Sequence, residues 1–409
     1  MHMPVLFQLN ATANWGSTGR IAEAIGLAAQ KRGWQCYMAY GRHANPSALE
    51  LIKVGDPLNP YFHYLQSRVF DREGLGSGTA TSRVVWLLDK LAPDVVQLHN
   101  IHDHWLNYRI LFEYLNATPD IKVVWTFHDC WAFTGHCFHF AQVGCRKWRH
   151  ECGSCPLSKV YPKSMVDRSQ RNFQLKRELF AGCDNLTVVA CSQWMSDLVR
   201  DSFLGDKRIE VLYNGVDINV FAPIERRCFS EYYHILAVSN GWNSEKGLYD
   251  ILELRGLLPE EFEITVVGLS SDQIASLPNG ITGIGRVACT GDLVKLYNEA
   301  DVLVNTSHAD TFPTVNLEAL SCGTPVVTYA TGGSPEAVDA WTGIIVPCSD
   351  VQAMAKALFW LKNTPLSRSD CRRRALKYFD KDKCFDKYID LYEDIIGHSI
   401  FPPGELQKQ

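Results

Sequence analysis

Asp310 and Glu318 stand eight positions apart in the run Ala309-Asp310-Thr311-Phe312-Pro313-Thr314-Val315-Asn316-Leu317-Glu318. A Pro-containing turn separates them. Glu318 falls on a short apolar segment that stops at Gly323, with Pro325 and a β-branched run behind it, the pattern of a brief helix feeding a buried strand. The start of such a helix, here around Thr314 and Val315, presents backbone N–H groups and the positive end of a dipole, which suits a phosphate. A carboxylate one or two turns further along reaches ribose hydroxyls beside that phosphate. The chemistry implied is recognition of a phosphorylated sugar ligand, with Glu318 on a ribose.

Five other constellations stand out. Lys246, in Ser239-Asn240-Gly241-Trp242-Asn243-Ser244-Glu245-Lys246-Gly247, lies near a helix start and can neutralise a diphosphate. Asn14-Trp15-Gly16-Ser17-Thr18-Gly19-Arg20 follows the first strand; Gly16, Ser17 and Gly19 let backbone approach an anion, and the pattern is not that of a dinucleotide fingerprint. His99, His102 and His128-Asp129 follow two further strands, where a histidine can bond to sugar hydroxyls or phosphate oxygens. Gly283, Ile284, Gly285, Arg286 and Val287 form a Gly-flanked turn suited to a nucleobase. Cys137, Cys145, Cys152 and Cys155-Pro156 crowd one loop at a spacing that fits either a structural, fully protein-ligated zinc site or a group of free thiols.

The elements that must position these groups alternate short apolar strands with amphipathic helices, as in parallel α/β sheets. Strands are expected at Val5–Leu9, Gln35–Tyr40, Val95–Leu98, Lys122–Thr126 and Thr187–Ala190. The pattern restarts with His234–Ser239, Glu263–Val267, Asp301–Asn305 and Pro325–Tyr329. The expected organisation is a first α/β domain over residues 1–215, carrying the Cys-rich loop 137–155, a second over 216–380, and a closing helix in 381–409 packing back on the first. Ligands of doubly wound sheets bind beyond the C-terminal strand ends, so two such domains enclose a cleft. Residues 58–80 read as a long loop.

With 46% hydrophobic and 21% charged residues the 409-residue chain is globular, and a net charge of only −5 argues against a nucleic-acid partner. The charge is uneven: residues 146–177 hold nine Lys/Arg against two Asp/Glu, a basic strip suited to a local anionic partner such as a bilayer surface. Fourteen cysteines without a basic, apolar leader point to reduced thiols in a cytoplasmic protein. No apolar run is long enough to span a membrane, so any membrane contact is peripheral.

Taken in order, these motifs resemble the acidic-x7-acidic family 4 retaining glycosyltransferases, with Asp310 where that family usually has Glu. The resemblance extends through Val211–Asp217 and through Gly332-Gly333-Ser334-Pro335-Glu336. The segment His128-Asp129-Cys130-Trp131 with its cysteines looks like a subgroup concerned with bacterial exopolysaccharide and O-antigen assembly. The resemblance implies a GT-B fold of two facing Rossmann-like domains and retention of anomeric configuration. It implies a UDP- or GDP-hexose donor, no metal at the diphosphate, and a saccharide acceptor such as a polyprenyl-diphosphate-linked sugar. His128, Lys246, Asp310 and Glu318 would carry the catalytic contacts. The competing classes are an epimerase or phosphorylase on the same fold, and a non-catalytic scaffold stapled by zinc.

Overall fold

The computed structural model describes residues 3–225 and 231–397. They form two compact units: one holds residues up to Cys191, Met195–Leu212 and those from Phe385, and the other holds Ser192–Trp194 and Tyr213–Cys384.

The first unit is built on a seven-stranded, all-parallel sheet. Its strands are β1 (Val5–Asn10), β2 (Gln35–Tyr40), β3 (Glu50–Lys53), β4 (Val95–Leu98), β5 (Lys122–Phe127), β6 (Leu186–Ala190) and β7 (Arg208–Val211), in the spatial order β3-β2-β1-β4-β5-β6-β7. β1 and β4 are buried along their whole length, as strands covered on both faces must be. The helix Gly16–Lys31 returns the chain from β1 to β2 and packs Ile21, Ala22 and Ile25 against Leu6 and Val95. The same core takes Phe385, Tyr388, Ile389 and Tyr392 from the helix Lys381–Ile396. Tyr392 donates its hydroxyl to Gln97 Oε1 at 2.8 Å, so this helix is fixed by a buried polar contact as well as by apolar area.

The second unit repeats the plan with six parallel strands: β8 (Tyr233–Val238), β9 (Phe262–Val267), β10 (Ile281–Ile284), β11 (Val302–Asn305), β12 (Val326–Tyr329) and β13 (Gly343–Val346), in the order β10-β9-β8-β11-β12-β13. Its core joins Ile235, Ala237, Val302 and Val304 of the central strands to Ile251 and Leu254 of the helix Leu248–Leu257 and to Met354 and Leu358 of Val351–Asn363. In both sheets the strand order reverses beside the first strand, between β1 and β4 and between β8 and β11. A crevice opens at that point, at the C-terminal ends of the strands.

Residues 58–80 differ from their expectation. They hold the helix Asn59–Phe70 and the start of the helix Gly78–Leu91. The first of these escaped the sequence reading because its buried stripe is polar, His63 and Ser67, so it shows no apolar face directed at the core.

Candidate active site

Every motif singled out above except the cysteine loop lies just past a strand's C-terminal end or on the helix that follows it, and the strand order brings several together at the two crevices. In the second unit, Lys246 ends a single helical turn after β8, whose first N–H groups bond to the Asn243 side chain at 3.0 Å. Thr306, just past β11, donates its hydroxyl to the Lys246 and Gly247 carbonyls, and the His308 N–H bonds the Glu245 carbonyl, so the two loops are stitched together. Lys246 Nζ then meets Asp310 Oδ2 at 2.7 Å. The helix Thr314–Ser321 starts after Pro313 with no side-chain cap. Neighbouring helices in the same unit are capped by Asp350 and Ser367. Uncapped first-turn N–H groups are the donors that an oxyanion would take.

Glu318 sits one turn into that helix and accepts a 2.7 Å hydrogen bond from Tyr297 Oη. Tyr297 is fully buried; burial first, and then the Glu318 charge, push its pKa well above the usual phenol value, so it stays a donor. Nothing in the sequence spacing marked Tyr297 as the group that orients Glu318. The pairing of His308 Nε2 with Asp250 at 2.9 Å, supported by Tyr329 Oη on the same carboxylate at 2.6 Å, was likewise invisible. Gly332 and Gly333, after β12, lie against the Asp310–Thr311 backbone. A Cβ on Gly332 would meet the Asp310 carbonyl oxygen at 1.6 Å, and Gly332 has φ +54°. Glu336 at the end of this turn accepts the Gln193 and Trp194 N–H groups at 2.7 and 2.8 Å, all within the second unit. Gly285, Arg286 and Val287 follow β10 at the sheet edge, two strands from β8; Gly283 and Ile284, read above as part of that turn, belong to β10 itself.

In the first unit, Gly16 opens its helix at φ +68° behind Trp15, again without a side-chain cap, followed by Ser17. Gly19 has no room for a side chain, because a Cβ would lie 2.8 Å from Thr12 Oγ1. Past β4 and β5 the histidines form a relay whose tautomers follow from one amide. Gln8 donates through Nε2 to the Ala22 carbonyl, which leaves Oε1 to accept from His99 Nε2 at 3.2 Å. His99 Nδ1 must then accept from His128 Nε2, 3.1 Å away, so Nδ1 of His128 is its acceptor nitrogen.

Burial holds His128 neutral, with a pKa lowered to about 4. Burial would lower His102 too, but Asp129, 2.8 Å away, outweighs it and raises the pKa; in return His102 overcomes the effect of burial on Asp129 and holds it at about 2. The sign for His128 is definite. Its folded pKa lies below the unfolded value near 6.5, so the unfolded chain takes up a proton that the folded one refuses, and stability falls as pH drops from about 6.5 to about 4. His128→Gln should remove that share: from pH 7 to pH 5 the variant should lose less unfolding free energy in urea than the unsubstituted chain, and equal losses would contradict the assignment.

The cysteine loop lends the zinc alternative no support. The Cys137 thiol hydrogen-bonds to Cys155, which lowers the Cys155 pKa to about 6, while Cys152 Sγ accepts the Gly135 N–H at 3.3 Å. Cys145, Cys152 and Cys155 are near enough to interact, yet among the described residues no three of these sulfurs lie within 4.8 Å of one another. A tetrahedral thiolate cage needs closer convergence than that. The described group that does converge is His63, Glu73 and His104, but His63 Nε2 already accepts the Gly74 and Gly76 N–H groups at 3.1 Å and its Nδ1 faces Ser77 Oγ. The basic strip is also partly structural. Lys176 is buried, donates to the Trp131 and Thr134 carbonyls and lies over the Trp131 ring at 3.4 Å, with burial lowering its pKa to about 7.

Two Rossmann-type parallel sheets, each with its switch-point crevice, define the GT-B class. Family models match nearly the whole chain: "Glycosyltransferase Family 4" over residues 18–220 and "Glycosyl transferases group 1" over residues 230–378. The chain belongs to this glycosyltransferase family. It is 24% identical, over 95% of its length and 100% of the relative's, to the putative colanic acid biosynthesis glycosyl transferase WcaC of Escherichia coli K12. Its fold matches sucrose-phosphate synthase from Thermosynechococcus elongatus (TM-score 0.69, 15% identity, 96% and 99% of the two chains). It also matches Anabaena Alr3699/HepE, solved in complex with UDP-glucose (TM-score 0.62, 16% identity, 96% and 100%).

Proposed function

We propose that this glycosyltransferase moves a hexose, with retention of anomeric configuration, from a UDP- or GDP-hexose to a saccharide acceptor carried on a polyprenyl diphosphate, in the assembly of a bacterial surface polysaccharide. The observation that carries the reading is the 2.7 Å pairing of Lys246 with Asp310 at the β8/β11 crevice, beside the uncapped start of the Glu318 helix. The name of the WcaC relative supports the pathway, and the UDP-glucose in HepE supports the donor class.

In this reading Lys246 and the N–H groups of Thr314 and Val315 take the diphosphate, Glu318 the ribose, and Gly285–Val287 the base. Asp310 holds sugar hydroxyls and shares Lys246 with the phosphate. His128 holds another sugar hydroxyl, and Gly16, Ser17 and Gly19 offer backbone to an anionic group of donor or acceptor. The bond from the anomeric carbon to the phosphate oxygen breaks and the bond to the acceptor oxygen forms on the same face. The acceptor proton passes to the departing phosphate, whose growing charge Lys246 and the helix amides stabilise. No protein nucleophile and no metal is assigned to the step. The protein works in the cytoplasm at the inner face of the membrane.

The test is a panel of UDP- and GDP-sugars with and without a lipid-linked saccharide, read by chromatography. The expected result is nucleoside diphosphate released in step with glycosylated acceptor. Sugar isomerised without an acceptor points to an epimerase, nucleotide-sugar phosphorolysis to a phosphorylase. Failure to bind or consume any donor defeats the proposal.

A further inference from the structure

The helix Asn59–Phe70 is inside out. Its buried positions are His63 and Ser67, whereas Tyr61, Phe62 and Leu65, with Leu58 at the cap, are 66%, 57%, 49% and 62% exposed. A surface helix normally turns its apolar stripe inward, so an outward stripe of this size marks a surface that something covers. The reason for the inversion lies beneath it. His63 is committed to the Gly74 and Gly76 N–H groups and to Ser77, so the polar stripe is needed to hold the turn below the helix.

The patch continues onto the loop 158–166. The Met165 N–H bonds the Arg68 carbonyl at 2.8 Å, Arg168 lies over the Phe70 ring at 5.9 Å, and Tyr161 and Met165 are 52% and 65% exposed. Its margin is basic, with Arg68, Arg72, Lys163 and Arg168. The carboxylates nearby are already engaged: Asp56 accepts from the Leu58 and Asn59 N–H groups, Asp167 from those of Cys155 and Ser169, and Asp103 accepts the Tyr161 hydroxyl and pairs with Arg42.

We infer that this face docks onto an anionic lipid surface, with Leu58, Tyr61, Phe62 and Leu65 entering the headgroup boundary and the basic margin lying over the phosphates. Aromatic and aliphatic side chains backed by arginine and lysine are what that boundary selects. A second copy of the chain fits less well, because a two-fold contact would set one basic margin against the other. The inference deepens the proposed function, since a lipid-carried acceptor requires the enzyme at the bilayer. It moves the expected membrane contact from the basic strip alone to a built apolar face. Among the described residues no helix is long and apolar enough to cross a membrane.

The experiment is co-sedimentation of the full chain with vesicles of phosphatidylcholine, alone or with phosphatidylglycerol. Phe62→Ser/Leu65→Ser is the test variant and Arg72→Glu/Lys163→Glu the charge variant. Binding should require phosphatidylglycerol, weaken with salt, and fall at least about tenfold in the Phe62→Ser/Leu65→Ser variant while melting temperature and donor hydrolysis stay unchanged. The charge variant should bind more weakly with less salt sensitivity. Undiminished binding of the Phe62→Ser/Leu65→Ser variant overturns the inference, as does no binding to either vesicle, or a dimer in solution that this variant dissociates. Calorimetry with UDP on the same samples keeps the two readings apart. UDP binding without vesicle binding defeats the docking face only; vesicle binding without any donor binding defeats transfer only.

Discussion

Lys246→Ala is expected to lower the turnover of sugar transfer about 10²- to 10³-fold, the usual cost of removing one fixed donor from a developing oxyanion. Folding should be almost unaffected. Lys246 is about one-third exposed and its partner Asp310 keeps some contact with water, so loss of the pair costs about 1 kcal/mol or less. Glu318→Ala should be equally damaging to transfer but less innocent structurally, because it leaves the buried Tyr297 hydroxyl without the acceptor it has at 2.7 Å. An unmet buried donor costs about 1–3 kcal/mol, a drop of several degrees in melting temperature. Glu318→Gln retains an acceptor for Tyr297 and removes only the charge. The informative result is therefore normal melting with lost transfer in Lys246→Ala and Glu318→Gln. Transfer at the normal rate in both would mean that the chemistry is elsewhere.

Gly332→Ala should do comparable damage from a residue that touches no substrate in the proposed scheme. Its φ of +54° strains any L side chain, at a cost of about 1–3 kcal/mol. The new methyl would also sit 1.6 Å from the Asp310 carbonyl oxygen, where 3.0 Å is the practical limit, so the Asp310 loop must yield by more than an ångström. A misplacement of that size near a reacting centre costs about 10²-fold in rate. Stability in urea and turnover should fall together. Gly256→Ala is the control: nothing lies within 4 Å of a Cβ there, the site is inside the helix Leu248–Leu257, and the change should stabilise by up to about 1 kcal/mol. If Gly332→Ala behaves like Gly256→Ala, the close seating of the two loops has no functional weight.

What could be read from residue types alone was the interior of each sheet. Gln35–Tyr40 and Val95–Leu98 match to the residue, because strands covered on both faces show as runs dominated by apolar residues. Four strands were missed, Glu50–Lys53, Arg208–Val211, Ile281–Ile284 and Gly343–Val346, and all four are sheet edges. Edge strands are half exposed, so charge at Glu50, Lys53 and Arg208, or glycine at Gly283, breaks the apolar pattern. The acidic pair, Lys246 and the histidines were legible because polar residues past apolar strands are conspicuous. Their partners were not. Tyr297 lies 21 residues from Glu318, and Gln8 reaches His99 across 91 residues through the pairing of β1 with β4. The cysteine spacing brought sulfurs together in pairs, as Cys137 with Cys155, without drawing three of them into one group.

The chain enters the second unit after residue 212 and leaves it before Phe385, whose helix completes the first unit's core with Tyr388 and Tyr392. The second unit is thus, apart from the short Ser192–Trp194 contribution, an insert in the first. For anyone exchanging units between relatives, the span to replace is residues 213–384 together with Ser192–Trp194, whose Gln193 and Trp194 N–H groups bond Glu336. A conventional cut into front and back halves would instead strip the helix Lys381–Ile396 from the interior it seals.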